Sequence, residues 1–349
     1  MNTTSATLTP KSAFLTFLLL TSIKWLLVPS YRSTDFDVHR NWLALTHHLP
    51  VSEWYFDDIN GTTVHTLDYP PLFAFFEYAL GNNPVTGRML ESGWLDRRCL
   101  ESLPDSTCND PPPSDRCVRF HRGTVVFVGD VVLFAGAYIA AKSVSTLGED
   151  GCERGSSYFT FASIVSNPGL IILDHVHFQY NGMLLGVLLI SIACMVRGAG
   201  ASSPTSSSRW ELLSAATYAG LLATKHLYLT LAPLYFFYLL RRHCFVAAEE
   251  ERKDGKKVKD DGHHDDESTL VVRFSWSRLL VLGGVSLLCF TGPFIPFLVQ
   301  PDPVGQMRQI LKRLFPFNRG VRIRHLPLFH RRVHIREFFS LIVFFLCCL

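Results

Sequence analysis

The most constraining feature of this chain is a series of long apolar runs, of which residues 123–141 form the clearest. A helix needs about 20 mostly apolar residues to cross the hydrocarbon core of a membrane. Apolar residues make up 48% of the 349 positions and charged residues only 18%, whereas soluble domains carry roughly 25% charged residues. The sequence therefore predicts an all-α polytopic membrane protein and excludes a mainly disordered chain or a disulfide scaffold.

The first apolar run, residues 13–28, follows an N-terminal tail, 1–12. Lys24 lies near its end and is expected to extend to the membrane interface. A cleaved signal peptide is the alternative interpretation of this run. The predicted spans together cover residues 13–28, 123–141, 158–173, 182–196, 210–240 and 278–299. The run 210–240 is too long for one helix, so a break at residues 224–226 is expected to divide it into two short spans.

The distribution of basic residues sets the predicted orientation of these spans. Residues 241–267 contain seven Lys and Arg side chains. The positive-inside rule therefore places the linker 241–277 in the cytosol. Counting back through the spans puts four segments on the other side, in the lumen or the exterior: 31–122, 174–181, 224–226 and the residues from 300 onward. A glycosylation sequon begins there at Asn60.

The unusual polar clusters all fall on that one predicted side. They occupy residues 34–42, 67–72, 174–181 and 225–226. If they converge above a bundle of short helices, they form a polar pocket at a membrane surface. Such a pocket suits a substrate with a polar head and a lipid tail.

Most of these clusters also have an interpretation without chemistry. Asp35 and Asp37 could cap the amphipathic segment that follows them. Asp68 precedes two prolines and could simply form a turn. Lys225 and His226 could be ordinary interface residues. The functional interpretation rests on the clusters occurring together.

Metal, phosphate and nucleic-acid sites have weaker support in the sequence. Asp174, His175 and His177 could ligate a metal, but their spacing matches no standard helical metal site. The chain has no Gly-rich phosphate loop, and its net charge of +3 comes from scattered basic residues, which argues against nucleic-acid binding. Of the cysteines in the loop 81–122, Cys108 and Cys117 flank a Pro-rich turn and are expected to form a disulfide.

Four motifs occur in a fixed order along the chain: DFDVHRNW (35–42), LDYPP (67–71), DHVHFQYN (174–181) and RLFPFNRG (313–320). Together they resemble the dolichyl-phosphate-glucose-dependent glucosyltransferases of the endoplasmic reticulum. These enzymes extend the lipid-linked oligosaccharide used for protein N-glycosylation. The VHRNW segment resembles the corresponding segment of the branch that adds the second glucose, whereas the branch that adds the first has a sequence closer to EAQRHW.

The resemblance implies a multi-span glycosyltransferase (GT-C-like) fold over residues 13–320. It implies an α-1,3-glucosyltransferase in the endoplasmic reticulum membrane, with its active site in the lumen and with Asp35 at the position of the base. Dolichyl-phosphate-glucose is the implied donor and a dolichyl-pyrophosphate-linked, already glucosylated oligosaccharide the acceptor, with membrane lipid around the protein. The anomeric carbon would be inverted in a single displacement, and neither a cofactor nor a metal is required.

The remaining polar residues of the motifs are expected to bind substrate: Asp37, Arg40, Asp68, Asp174, His175, His177, Gln179, Lys225, His226 and Arg319. Asp37 and Asp68 would orient sugar hydroxyls. The negative charge of the leaving phosphate would be met by Lys225, His226 or Arg319.

The tail 321–349 departs from the family pattern. The chain reads VRIRH after Gly320, and basic residues continue to Arg336. The sequence is therefore expected to be a truncated or frameshifted form that lacks the C-terminal part of the fold. Three alternatives stay open: the first glucosyltransferase of the same pathway, an inactive membrane fragment, and a transporter or channel.

Overall fold

The computed structural model describes residues 7–56, 65–101, 113–146, 157–249 and 270–315. These residues are predominantly α-helical, as the sequence predicts. The α-helices are α1 (Pro10–Leu26), α2 (Thr34–His48), α3 (Pro71–Gly81), α4 (Pro84–Glu91), α5 (Asp115–Thr124), α6 (Asp130–Ser145), α7 (Ser157–Val165), α8 (Pro168–Leu170), α9 (Asn181–Ala199), α10 (Pro204–Thr224), α11 (Ala232–Leu239), α12 (Trp276–Thr291), α13 (Ile295–Leu298) and α14 (Pro303–Leu314).

Four helical stretches among the described residues are long and apolar enough to cross a membrane. They are Asp115–Ser145, Ser157–Val176, Asn181–Ala199 and Trp276–Leu298. Each covers most or all of one predicted span. The first joins α5 to α6 through a π-helical turn, and the second ends in another π-helical turn, Ile171–Val176.

The long run 210–240 is divided where the sequence predicts. Helix α10 ends at Thr224, and Lys225 adopts an extended backbone conformation with φ −148° and ψ 110°. The chain then continues as a short 3₁₀ helix, His226–Leu231, into α11.

Helices α6 and α9 cross at very close range because glycines face each other. A Cβ atom added at Gly136 would lie 2.2 Å from the carbonyl oxygen of Gly186, and one added at Gly186 would lie 2.4 Å from the carbonyl oxygen of Val132. Small residues at a helix crossing allow backbones to approach in this way. Helix α9 also packs against α10, which contacts α12.

Lys24 corrects one expectation. Its side chain does not extend to an interface, because it is 2% exposed and its Nζ lies 2.7 Å from Oδ1 of Asp130 in α6. His175 Nε2 lies 3.3 Å from the same oxygen. A buried ammonium needs a charged partner, and α6 provides one.

Helix α2 does not lie freely on the surface. It packs against α3 and against a short turn, Arg97–Leu100. A disulfide joins Cys99 in that turn to Cys117 in α5. The predicted pairing of Cys108 with Cys117 is therefore wrong, because the fold brings Cys99 and Cys117 together and sequence proximity does not decide the pair.

Helix α14 is tied to the segment that follows α2. Gln309 Nε2 donates to the carbonyl oxygen of Tyr55 at 2.9 Å, and Gln306 Nε2 donates to that of Ser52 at 2.7 Å. The Tyr55 hydroxyl in turn donates to the carbonyl oxygen of Tyr69 at 2.7 Å. These contacts place α14 on the same side of the protein as the loop 31–122.

Two short antiparallel strands, β1 (Phe245–Glu249) and β2 (Leu270–Phe274), precede α12, and the sequence patterns did not predict them. Most of the charged linker, the Asn60 sequon, Cys108, Arg319 and the tail 321–349 lie outside the described residues.

Candidate active site

Asp35 lies in the first turn of α2, but it does not cap that helix. The cap is Ser33, whose Oγ accepts a hydrogen bond from the backbone N–H of Asp35 at 3.2 Å. The Asp35 carboxylate instead accepts a hydrogen bond at Oδ2 from Gln179 Nε2 at 2.7 Å. His177 Nδ1 lies 3.8 Å from the same oxygen. The Asp35 side chain is 39% exposed, so solvent or substrate can reach it.

Two amides connect this carboxylate to a lysine. Gln179 Oε1 accepts from Asn181 Nδ2 at 2.6 Å, and Asn181 Oδ1 accepts from Lys225 Nζ at 2.9 Å. The order of donors and acceptors is fixed at both ends, because a carboxylate only accepts and an ammonium only donates. Asp35 and Lys225 are thus held near each other without touching.

Lys225 also faces an aromatic ring. Its Nζ lies 5.0 Å from the centre of the Tyr69 ring, within the range of a cation–π contact. Burial lowers the pKa of Lys225, and the charges of Asp174 and Asp35 oppose that shift. Burial also raises the pKa of Tyr69, with the charge of Asp35 adding to the effect. Two polar clusters that are far apart in the sequence therefore meet here.

Asp174 contacts this network through Asn181, whose Nδ2 donates to Asp174 Oδ1 at 3.3 Å, whereas His175 turns to another partner. Asp174 is buried, and its oxygens accept from the backbone N–H groups of Asn181 and Gly182 at the start of α9. A carboxylate at a helix N-terminus is favoured by the helix dipole. His175 faces Asp130. The two side chains and His177 thus have three different sets of partners and do not converge on one point.

The loop that carries His177 and Gln179 has an unusual backbone. Phe178 has φ +74°, a left-handed conformation that is rare for a residue with a bulky side chain. Its ring is fully buried, 5.1 Å from the ring of Phe36. Because Phe178 points into the core, the residues on both sides of it face Asp35. The Ser33 hydroxyl donates to the carbonyl oxygen of His177 and ties the loop to α2.

The other described residues predicted for the site have their own contacts. Asp68 accepts from the Thr66 hydroxyl at 2.9 Å. The pKa of His226 is lowered by burial and by the Lys225 charge, and the Asp68 charge opposes this shift. Arg40 is buried, and its Nη2 donates to the carbonyl oxygen of Arg98, beside the disulfide. Asp37 is partly exposed on α2.

The match to a family model decides the family. Residues 20–325 match the model described as the ALG6, ALG8 glycosyltransferase family. The chain belongs to this family. The matched range contains every predicted site residue, from Asp35 to Arg319.

Individual members of the ALG6, ALG8 family are similar over most of the chain. Proteins named dolichyl pyrophosphate Glc1Man9GlcNAc2 alpha-1,3-glucosyltransferase from Arabidopsis thaliana, Saccharomyces cerevisiae and Bos taurus are each 36% identical to it. The alignments cover 87%, 86% and 86% of this chain and 48%, 43% and 49% of the relatives. The chain therefore spans about half the length of the relatives it matches.

Among the residues that the structure describes, no group of three potential metal ligands lies at Asp35. Among the described residues, one group of three side chains has its ligand atoms within 4.8 Å of one another: Cys99, Cys117 and His121. Two of these atoms are already joined in the disulfide.

Arg122 lies near the site and outside every polar cluster that the sequence singles out; Asn181 and Tyr69 lie in such clusters but are not among the predicted site residues. Arg122 is buried at the end of α5, and its side chain donates to the carbonyl oxygens of Tyr31 and Val176. Tyr31 precedes Asp35 in the chain, and Val176 precedes Gln179. The available signal was a charged residue immediately before the apolar run 123–141. A single sequence gives no indication of which distant carbonyl groups such a side chain contacts.

Proposed function

We propose that this chain transfers glucose from dolichyl-phosphate-glucose to the monoglucosylated, dolichyl-pyrophosphate-linked oligosaccharide. The product would carry the second α-1,3-linked glucose. The proposal is supported by the family, by the names of the relatives and by the VHRNW motif. The donor and the acceptor each combine a polar head with a lipid tail, and a polar site beside membrane helices suits such molecules.

The position of Asp35 is the observation that carries the proposal. One carboxylate oxygen is held by Gln179, and Oδ1 has no hydrogen-bond partner among the described residues. The carboxylate is ordered but still open to solvent. These are the properties that a general base needs in order to accept a proton from a bound hydroxyl.

The proposed reaction is a single displacement. The acceptor hydroxyl attacks the anomeric carbon of glucose, its proton passes to Asp35, and the bond from that carbon to the phosphate oxygen breaks. Dolichyl phosphate leaves with the electron pair, and the anomeric configuration inverts from β to α. Most of the rate enhancement would come from positioning the two substrates and from stabilising charge on the phosphate.

Lys225 is the proposed partner of the leaving phosphate. Its ammonium is held by Asn181 and lies over Tyr69, so little reorganisation would be needed when negative charge develops. Gln179 would keep Asp35 oriented. Asp37 and Asp68 would hydrogen-bond sugar hydroxyls, and His226 and Arg319 are secondary candidates for the phosphate.

The proposed location is the endoplasmic reticulum membrane, with Asp35 on the luminal side. The charge-rich linker would then lie in the cytosol. A protease site introduced near Gly255 should be cut in sealed microsomes by protease added from outside. A site that is cut only after the membrane is opened would contradict this orientation.

A transfer assay tests the activity. Microsomes that contain the chain, from cells lacking their own second glucosyltransferase, receive labelled dolichyl-phosphate-glucose and one of two acceptors. We expect glucose transfer to the acceptor with one glucose and none to the acceptor without glucose. The reverse preference would assign the chain to the first glucosylation step, and failure with both acceptors would contradict the proposed activity.

A further inference from the structure

We infer that Arg122 is a positioning residue that holds Asp35 next to Gln179 by joining the carboxyl ends of two helices, α1 and Ser157–Val176. The relevance of this arrangement to catalysis rests on the function proposed above. The inference itself concerns geometry and can be measured without an activity assay.

The guanidinium of Arg122 faces acceptors from two separate segments. On the first segment, Nη1 donates to the carbonyl oxygen of Leu27 at 2.9 Å and to Ser30 Oγ at 3.1 Å, and Nη2 donates to the carbonyl oxygen of Tyr31 at 2.7 Å. This segment connects α1 to α2 and ends a few residues before Asp35.

The second segment carries the residues that contact Asp35. Nη1 of Arg122 donates to the carbonyl oxygen of His175, and Nη2 donates to that of Val176 at 3.2 Å. His177 and Gln179 follow directly in the chain. One planar side chain therefore bridges the two segments whose relative position brings Gln179 Nε2 to Asp35 Oδ2.

Each segment includes the end of a helix, and this explains how the charge of Arg122 is tolerated. Leu27 follows the last residue of α1, and His175 and Val176 are the last residues of the helix Ser157–Val176. Carbonyl groups at a helix C-terminus lack partners within the helix and carry partial negative charge. Arg122 is 2% exposed and has no carboxylate partner among the described residues. Two helix ends provide the negative potential that a carboxylate would otherwise provide.

The shape of the guanidinium makes this role specific to arginine. Its donors lie in one plane and point in different directions, so two of its nitrogens reach both segments at once. A lysine has a single ammonium on a flexible stem and cannot span both helix ends with the same geometry. We therefore expect Arg122→Lys to keep the positive charge and to lose the fixed spacing.

The direct test measures the distance between the segments by cysteine cross-linking. Tyr31 and His177 have exposed side chains with ring centres 6.4 Å apart, one on each segment. A chain with Tyr31→Cys and His177→Cys is oxidised in membranes, and the linked peptide is quantified by mass spectrometry. Identifying the peptide separates this bond from those of the native cysteines.

We expect the bond to form roughly tenfold more slowly when Arg122→Lys or Arg122→Gln is added, because buried hydrogen bonds are lost. The control is Arg119→Lys on the exposed face of the same helix, which should leave the rate unchanged. Free guanidinium at low millimolar concentration should restore part of the rate in Arg122→Ala. Equal cross-linking rates in the parent and in the Arg122 variants would overturn the inference.

Activity measurements separate this inference from the proposed function. If Asp35 is the base, Arg122→Lys should lower kcat with little change in KM and should leave the shape of the pH profile unchanged. If no glucose transfer is detected and cross-linking still slows, the proposed function fails and the positioning role stands. If transfer is normal in Arg122→Lys and cross-linking is unchanged, the positioning role fails and the function stands.

Discussion

Asp35 and Asp130 are both carboxylates near a lysine, but their surroundings differ completely. Asp130 contacts Lys24 directly at 2.7 Å, and both side chains are almost fully buried. Asp35 is separated from Lys225 by the side chains of Gln179 and Asn181 and remains partly exposed. The direct pair neutralises its own charges, whereas the separated pair keeps an acceptor and a cation available. The comparison indicates that Asp130 stabilises the protein, and it supports the proposal that Asp35 is the base.

The largest expected effect tests the reactive side of this comparison. Asp35→Asn should lower glucose transfer by roughly 10²–10⁴-fold, because an amide cannot take the acceptor proton. Expression and membrane insertion should not change, since the amide is nearly the same size and can keep a hydrogen bond with Gln179. The transfer assay is run alongside a stability measurement in detergent. Near-normal transfer would remove Asp35 as the base and would direct attention to Asp37.

The second prediction tests the structural side. Asp130→Asn should destabilise the protein by about 3–5 kcal/mol, because it leaves the Lys24 ammonium buried without a counter-charge. The matched control is the double variant Lys24→Met and Asp130→Leu, which removes both charges and should recover most of the loss. Both variants are heated in detergent, and the fraction of protein that stays monodisperse is measured at each temperature. Equal loss in the single and double variants would contradict a direct charge pair.

A third and smaller effect concerns Lys225 and pH. Burial lowers the pKa of Lys225, so its ammonium loses its proton at lower pH than an ordinary lysine. If the charge assists the leaving phosphate, transfer should fall as pH rises through this pKa. Lys225→Arg should move the fall to higher pH, because a guanidinium stays protonated. Lys225→Met should lower transfer by roughly 10²-fold at pH values below this pKa, and the difference from the parent should shrink above it. An unchanged profile in Lys225→Arg would exclude this role.

The smallest expected effect is at Asp68. Asp68→Asn should lower transfer by at most roughly tenfold, since a neutral amide can still hydrogen-bond a sugar hydroxyl. KM for the oligosaccharide should rise more than kcat falls. A loss as large as that of Asp35→Asn would mean that Asp68 takes part in proton transfer. Asp35 would then not be the only carboxylate with a chemical role.

Local patterns in the sequence predict the helices well. The apolar runs locate the helical stretches Asn181–Ala199 and Trp276–Leu298 within a few residues, and Lys225 marks the break after α10 because a charge interrupts an apolar run. The placement of the polar clusters on one side anticipates that Asp35 and Gln179 come together. These features depend on composition and on the length of a membrane span, which a single sequence contains.

The pairings that a single sequence could not provide are all long-range. Lys24 contacts Asp130 across 106 positions, and the disulfide joins Cys99 to Cys117 rather than to the Cys108 proposed from proximity. Arg122 reaches helix ends 95 and 53 residues away. The choice of such partners depends on how the helices pack, and no local pattern records it.

The hydrogen bond between Gln179 and Asp35 joins residues 144 positions apart, and this separation has a consequence for biosynthesis. At a translation rate of about 5–20 residues per second, the ribosome needs about 7–29 s to add those residues. During that interval Asp35 is already made and its partner amide is not. A nascent chain therefore cannot hold the carboxylate in its final orientation until the helix Ser157–Val176 and the loop that follows it have entered the membrane.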